Sequence, residues 1–452
     1  MTENEFDYHK EISQLPEYIG ASYAMENANQ AVPIFEGQFS IRQAEINITV
    51  LGTIAFNWFP EKRAKFQTSQ ILEESHPSVH INMAKPCQII IDDLLFGEAW
   101  VTSFKDMNYL SGFCGRAVLG DPRIKVSRIH FSIPNLLISD GEKIKRTHPE
   151  SIYFFNGRQV FEHGPFKIVI DKSDKYETLY EELKKSGGYL LTCGGEITSK
   201  KGPFSLKDVE ELLLSFHNFI SFINGRETSL YFLKGEHENE IIWQDFSSYF
   251  CEPFKEVTRW SNIIGLNRLN DIWVNFSEMW KDPDKKDFLL YAIHWYLNGN
   301  ANNGSTEGSI IFVQTGLELV YNWFLIEQKK LILGSDASNI AASNKIRLLL
   351  SQLSIPREIP VESENLMKLA DMEDGAEVFT VIRNALVHGQ EKKRRDLRDI
   401  GSMERFEALE LGLWYLELSL LHILGYKGNY KNRIKRGWFG LGEPLPWQKD
   451  AS

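Results

Sequence analysis

The chain has no close cysteine pair. Its four cysteines, Cys87, Cys114, Cys193 and Cys251, are widely spaced and form no CxxC motif. No cluster of cysteine or histidine supplies zinc ligands, so no metal centre is expected. The four read as buried thiols in a reducing compartment. Also missing is an unbroken apolar stretch of about 18 residues, so no membrane span is expected. The opening MTENEFDYHKEISQLPEYIG is polar and acidic. It lacks the basic start and apolar core of a signal peptide, and the expected location is the cytoplasm. No GxxxxGK run followed by Ser or Thr occurs, and neither Gly187-Gly188 nor Gly194-Gly195 makes a phosphate loop. An ATPase therefore has little support, and no cofactor is expected. There is no internal repeat and no long low-complexity stretch.

What is present is ample material for several cores. The 452 residues are 43 % hydrophobic and 12 % aromatic, which predicts two or three domains. Formal net charge is -11, so the surface as a whole repels nucleic acid, and any such contact must be local, in a basic cleft.

The patterning predicts an α+β multidomain chain, with a β-rich N-terminal half followed by an α-helical bundle. Residues 1–200 read as the β-rich domain, with a sensing or regulatory role. Residues 201–267 read as a helix and short strands, either a linker or the completion of the first domain. Residues 268–452 read as helical. Within the first part, Ile46-Asn47-Ile48-Thr49-Val50 alternates in type, Thr53 to Phe59 continues the pattern, and Gly37 and Gly52 are expected turns. Further short strands are expected at 88–91, 127–131 and 166–170. Ser205 caps a helix that runs to Asn224, with Asp208 three residues later as a weaker capping box. Residues 228–250 look extended. Helices are then expected at 272–280, 287–297, 310–328, 345–353, 376–387 and 406–424, the last stopping at Gly425, with a polar loop over 298–309.

The chemistry concentrates late in the chain, at Arg383-Asn384-Ala385-Leu386-Val387-His388. RNA cleavage requires that a ribose 2′-hydroxyl lose a proton and attack the adjacent phosphorus, that the leaving 5′-oxygen gain one, and that the phosphorane charge be stabilised. A histidine titrates in the right range to act as base or acid. An arginine stays charged and offers a planar fork to phosphate oxygens. Five helical residues advance about 7.5 Å and rotate about 140°, so the pair does not stack on one narrow face. It can line a groove against a partner helix, and a symmetric dimer would bring two pairs near its axis. Asn384 adds a polar amide beside the arginine. Glu318, on the long helix, is expected to approach this groove and orient Arg383 or His388. His294, amid Trp295 and Tyr296, reads as packed rather than catalytic. Two basic runs could grip an RNA backbone: Lys392, Lys393, Arg394 and Arg395, and then Arg433, Lys435 and Arg436, with Trp438 and Phe439 available for stacking.

Arg383-Asn384-x-x-x-His388 resembles the R-x4-6-H signature of HEPN ribonuclease domains, including the polar residue after the arginine. The wider region resembles the C-terminal HEPN domain of ApeA-type abortive-infection proteins, through Tyr291 to Gly299, Thr315 to Tyr321 and the Arg-His motif. The β-rich half resembles the associated N-terminal domain more loosely. The resemblance implies an α-helical HEPN bundle that forms a homodimer through the helical domain. It implies a metal-independent endoribonuclease used against phage, with Arg383 and His388 catalytic, Asn384 as the polar motif residue, and a phage-derived trigger. Two alternatives stand beside it. One is HEPN-type nucleotidyl transfer to a partner, which would need ATP and a donor pocket. The other is a non-enzymatic dimer that binds a phage component.

Overall fold

A computed structural model describes residues 12–72, 81–105, 109–149, 151–263, 268–301, 305–333, 336–369, 372–387, 400–435 and 440–451. The protein is mixed α/β, with strands dominating the N-terminal half and helices the C-terminal half. It divides into two compact units. One comprises Met1–Leu137, Glu142–His217 and Thr228–Lys255; the other comprises Ile138–Gly141, Asn218–Glu227 and Glu256–Ser452.

The first unit begins with a closed barrel. Its strands are β1 (Val32–Gln43), β2 (Ile46–Asn57), β3 (Arg63–Ile71), β4 (Cys87–Ile91), β5 (Leu94–Lys105) and β6 (Tyr109–Cys114), all antiparallel in the order β1-β2-β3-β6-β5-β4. Alternation builds it, because every second residue points inward. Ile41, Val50, Ile54, Phe56 and Phe66 are all buried. The expected turns at Gly37 and Gly52 are not turns. The two glycines pair with each other across β1 and β2, and the hairpin reverses at Ala44, whose φ is 51°. A Cβ on Gly52 would sit 2.2 Å from the Gln67 carbonyl oxygen, and one on Gly112 would sit 2.0 Å from that of Trp100. Glycine is needed there so that neighbouring backbones can close up as the sheet curls.

An eight-stranded sheet follows: β7 (Val118–Gly120), β8 (Arg128–Pro134), β9 (Glu142–His148), β10 (Ser151–His163), β11 (Phe166–Lys172), β12 (Leu191–Ser199), β13 (Tyr231–His237) and β14 (Glu240–Asp245). The order is β7-β14-β13-β8-β12-β11-β10-β9. Because β13 pairs with β8, a boundary at residue 200 would cut this sheet; of the block after it, the residues up to His217 and Thr228–Lys255 belong to the first unit, in line with one of the two readings for 201–267, and the rest belongs to the second. Helix α1 (Tyr176–Ser186) lies between β11 and β12. Trp58 stacks on Tyr189 at 5.1 Å, and Phe56 meets Phe232 edge-on at 5.2 Å, so barrel and sheet share one aromatic core. All four cysteines are buried and free, as expected.

Helix α2 (Glu210–Asn224) follows a 3-10 turn, Leu206–Val209. The Ser205–Asp208 capping box forms as the spacing predicts: the Ser205 backbone N–H donates to the Asp208 carboxylate at 2.8 Å. The second unit is helical: α3 (Leu269–Trp280), α4 (Pro283–Ala301), α5 (Thr306–Tyr321, continuing as a π-helix over Asn322–Gln328), α6 (Ala342–Gln352), α7 (Gly375–Val387) and α8 (Ser402–Ile423). The loop expected over 298–309 is shorter than read, since α4 continues to Ala301 and Ser305 caps α5 by accepting from the Gly308 N–H at 3.0 Å. Thr306–Gln328 is long and apolar enough to cross a membrane by length and composition alone, but most of it is buried within the protein. Its apolar residues pack instead on α4, α7 and α8. Two glycines permit that approach: Cβ atoms at Gly316 and Gly412 would meet Leu416 at 2.8 Å and Phe379 at 2.4 Å. Helix α8 is the buried axis of the bundle and stops at Gly425, with φ 67°.

Candidate functional site

Helix α7 turns Val378, Phe379, Ile382 and Ala385 inward. That stripe leaves Arg383 and Asn384 half-buried on its flank. The Arg383 Nη1 donates to Asn384 Oδ1 at 3.0 Å, which fixes one arm of the guanidinium. Its Nε is buried and has no hydrogen-bond partner among the described residues. The facing surface comes from α5. There Gln314, Glu318 and Tyr321 recur at helical spacing on one stripe. Gln314 is buried, and its Oε1 is unpartnered among the described residues. Glu318 is exposed. The Tyr321 phenol is pushed well above its usual range, first by burial and then by the negative charge of Glu318, with Arg383 opposing. The tyrosine therefore senses both charges, and Glu318 and Arg383 converge on it.

A third charge comes from α6. The Lys345 ammonium lies over the Tyr321 ring, 5.2 Å from its centroid. Helix α6 is held against the start of α7 by Arg347, whose Nε donates to Asp374 Oδ2 at 2.6 Å and whose Nη2 donates to Glu377 at 3.3 Å. Two cations, Lys345 and Arg383, thus flank one buried tyrosine. Neither Lys345 nor Tyr321 was singled out from the sequence as part of a site. Tyr321 looks like one more apolar-stripe residue, and Lys345 is remote in sequence.

His388 follows Val387 directly and lies outside the described residues, as do Lys392, Lys393, Arg394, Arg395 and Arg436. Arg433 corrects the reading of the second basic run. Its guanidinium is fully buried: Nη2 donates to Asn300 Oδ1 at 2.6 Å, Nε lies 3.2 Å from Glu417 Oε2, and Nη1 lies 3.7 Å from Glu410. A side chain sealed in an internal ion pair is not available to an RNA backbone. Lys435 is half-exposed, and its charge is met by Glu443 at 2.5 Å. His294 is also corrected. It is exposed rather than packed, and its carbonyl accepts from Asn298 Nδ2 at 2.8 Å. Among the described residues, no group of three His, Cys, Asp or Glu side chains converges to hold a metal.

The buried cluster carries a pH prediction. Glu417 accepts from the Tyr296 hydroxyl at 2.7 Å, and burial pushes its carboxyl up to about 7, with the Arg433 charge opposing. The folded state therefore binds a proton between the ordinary carboxylate range and about 7 that the unfolded chain does not. Stability contributed by this group rises as pH falls through that window and is lost as pH climbs above it. Urea titrations at pH 5 and pH 8 should show wild type gaining on Glu417→Gln at the lower pH; a constant difference would contradict the assignment.

The comparisons with known proteins fall on these same segments. Residues 121–257 match the family model described as the YopA central domain, and residues 282–443 match that of the YopA C-terminal domain. The first spans nearly all of the eight-stranded sheet and the second most of the helical bundle. No solved structure matches. Over 442 residues the chain is 28 % identical to the SPbeta prophage-derived uncharacterized protein YopA of Bacillus subtilis (strain 168), a similarity that covers 95 % of this chain and 98 % of that one.

Proposed function

We propose that the helical unit is a HEPN-type, metal-independent endoribonuclease, acting as a homodimer in the cytoplasm in abortive infection against phage. The observation that carries it is the state of Arg383. One arm is fixed on Asn384, its Nε has no partner among the described residues, and it stands at the end of the helix that leads into His388. An arginine so held offers donors to a scissile phosphate without first breaking an ion pair. Lys345 and Arg383 together supply the local positive charge that an acidic chain needs to hold RNA. Exposed Val387, within the motif, and Met403 and Phe406, after it in sequence, offer apolar area for a second protomer. The prophage origin of the Bacillus subtilis relative suits a role in competition between phages.

The chemistry follows from the groups. A base takes the proton of the 2′-hydroxyl, the 2′-oxygen attacks phosphorus, and the P–O5′ bond breaks as the 5′-oxygen takes up a proton. The products are a 2′,3′-cyclic phosphate and a 5′-hydroxyl. His388 serves one of the two proton transfers, and Arg383 neutralises the equatorial oxygens. Glu318 balances the charge of the cations around Tyr321, while Asn384 orients the guanidinium. Incubation of the purified protein with RNA in EDTA should release cyclic phosphate ends, while the all-deoxy oligonucleotide stays intact. Intact RNA together with transfer of a labelled nucleotide to protein would replace this reading with the transferase one.

Lys345 provides a quantitative check. With an uncleavable 2′-deoxy substrate, Lys345→Ala should weaken binding and reduce the slope of log affinity against log salt by about 0.7, the value for one lost contact to a single strand. An unchanged slope, measured by fluorescence anisotropy, would remove Lys345 from the RNA path.

A further inference from the structure

The first unit holds a cavity of about 650 Å³, the size of a site for a small organic ligand. Its walls are apolar, from Leu213 and Leu214 of α2 and from Leu230 and Leu233 at β13. Its polar groups are concentrated at the end of β14. Asp245 is only 1 % exposed. Its two oxygens accept from the Ser247 backbone N–H at 2.7 Å and from the Tyr249 hydroxyl at 3.0 Å, and no cation is paired with it among the described residues. A buried carboxylate without a counter-ion is costly, and its two hydrogen bonds come from neutral donors, so a cation brought into direct contact would still be favoured. Beside it, the Ser247 Oγ is buried and unpartnered among the described residues. Both groups accept hydrogen bonds, as does the Tyr249 oxygen. At the exposed rim, Glu210 and Arg116 oppose each other, so the cavity carries one net negative charge when His217, which also lines it, is neutral. Phe250 adds an aromatic face.

We infer that this cavity binds a small organic monocation: an ammonium head that pairs with Asp245 and Ser247, on an apolar body that lies along the four leucines. The site is separate from the Arg383 chemistry and stands whether or not the protein cleaves RNA.

The test is calorimetry on the full chain at pH 8, with n-octylammonium, n-octanoate and octan-1-ol as probes. The tail is common to all three, so the head group alone is varied. Octylammonium should bind at least about tenfold tighter than octanoate, as a charge-assisted contact to a buried carboxylate warrants. Asp245→Asn should abolish that preference. Leu214→Trp, at a rim position 42 % exposed and so tolerant of a larger ring, should fill the cavity and remove binding of all three. Equal or tighter binding of octanoate, no binding of octylammonium, or an unaffected Leu214→Trp would each overturn the assignment. The comparison of head groups on wild type decides the matter even if Asp245→Asn does not fold.

Discussion

His388→Ala should lower RNA cleavage by about 100- to 10,000-fold, the contribution of a positioned acid or base, while leaving the unfolding transition where it is. Arg383→Lys should lose about 100- to 1,000-fold, the scale for removing one preorganised donor from a developing oxyanion. Lysine keeps the charge but not the planar fork, and it gives up the Nη1 hydrogen bond to Asn384 that aims the group. The two substitutions should differ in kind. His388→Ala leaves the binding of an uncleavable substrate near wild type and flattens the pH–rate profile; Arg383→Ala weakens both binding and turnover. Asn384→Ala sits between them, because it releases the guanidinium arm without removing it. Single-turnover cleavage of a labelled oligonucleotide in EDTA reads all of these. Full cleavage by either His388→Ala or Arg383→Lys, with matched folding by circular dichroism, would end the ribonuclease reading.

The helices around this site were legible because their signals are local. Residues 376–387 read as a helix, and α7 spans Gly375–Val387. The Ser205–Asp208 cap and the Gly425 stop are likewise written within a few residues of where they act. What could not be read is tertiary. Gly37 and Gly52 look like turn glycines until β1 and β2 are paired; only then is it clear that they face each other within the sheet and that β3 passes too close to Gly52 for a Cβ. Helix α1 was missed because only Leu179 and Leu183 of its eleven residues are buried, too thin a stripe to show a period. Glu318 was legible as a neighbour of the arginine, whereas Lys345 was not. Its place against Tyr321 depends on the Arg347–Asp374 link, which joins residues 27 positions apart. In the N-terminal half, the boundary near 200 fell inside a sheet because β8 takes a partner about a hundred residues downstream.

Arg433 is where a surface-like motif hides a fully buried ion pair, and Arg433→Ala should cost about 3–5 kcal/mol. The side chain belongs to a basic run whose composition suggests a solvated face. Its counter-charges lie on α8, where Glu417 stands in the middle of an apolar helix with no exposed surface. Removing the guanidinium would leave Glu417 buried without a cation, with Glu410 two turns away on the same helix, and it would also take the donor from Asn300 Oδ1, whose Nδ2 donates to the Gly225 and Thr258 carbonyls. The cost comes from orphaned partners rather than from the loss of an attractive pair. Replacing both ends, as in Arg433→Met with Glu417→Leu, should therefore recover most of the loss, since apolar substitutes need no counter-ion. Urea unfolding separates this from a role on RNA: the single variant should shift the midpoint at constant slope, and the double variant should shift it back. A single variant within about 1 kcal/mol of wild type, a typical value for a solvated pair, but weakened in RNA binding, would return Arg433 to the surface role that its sequence neighbourhood suggests.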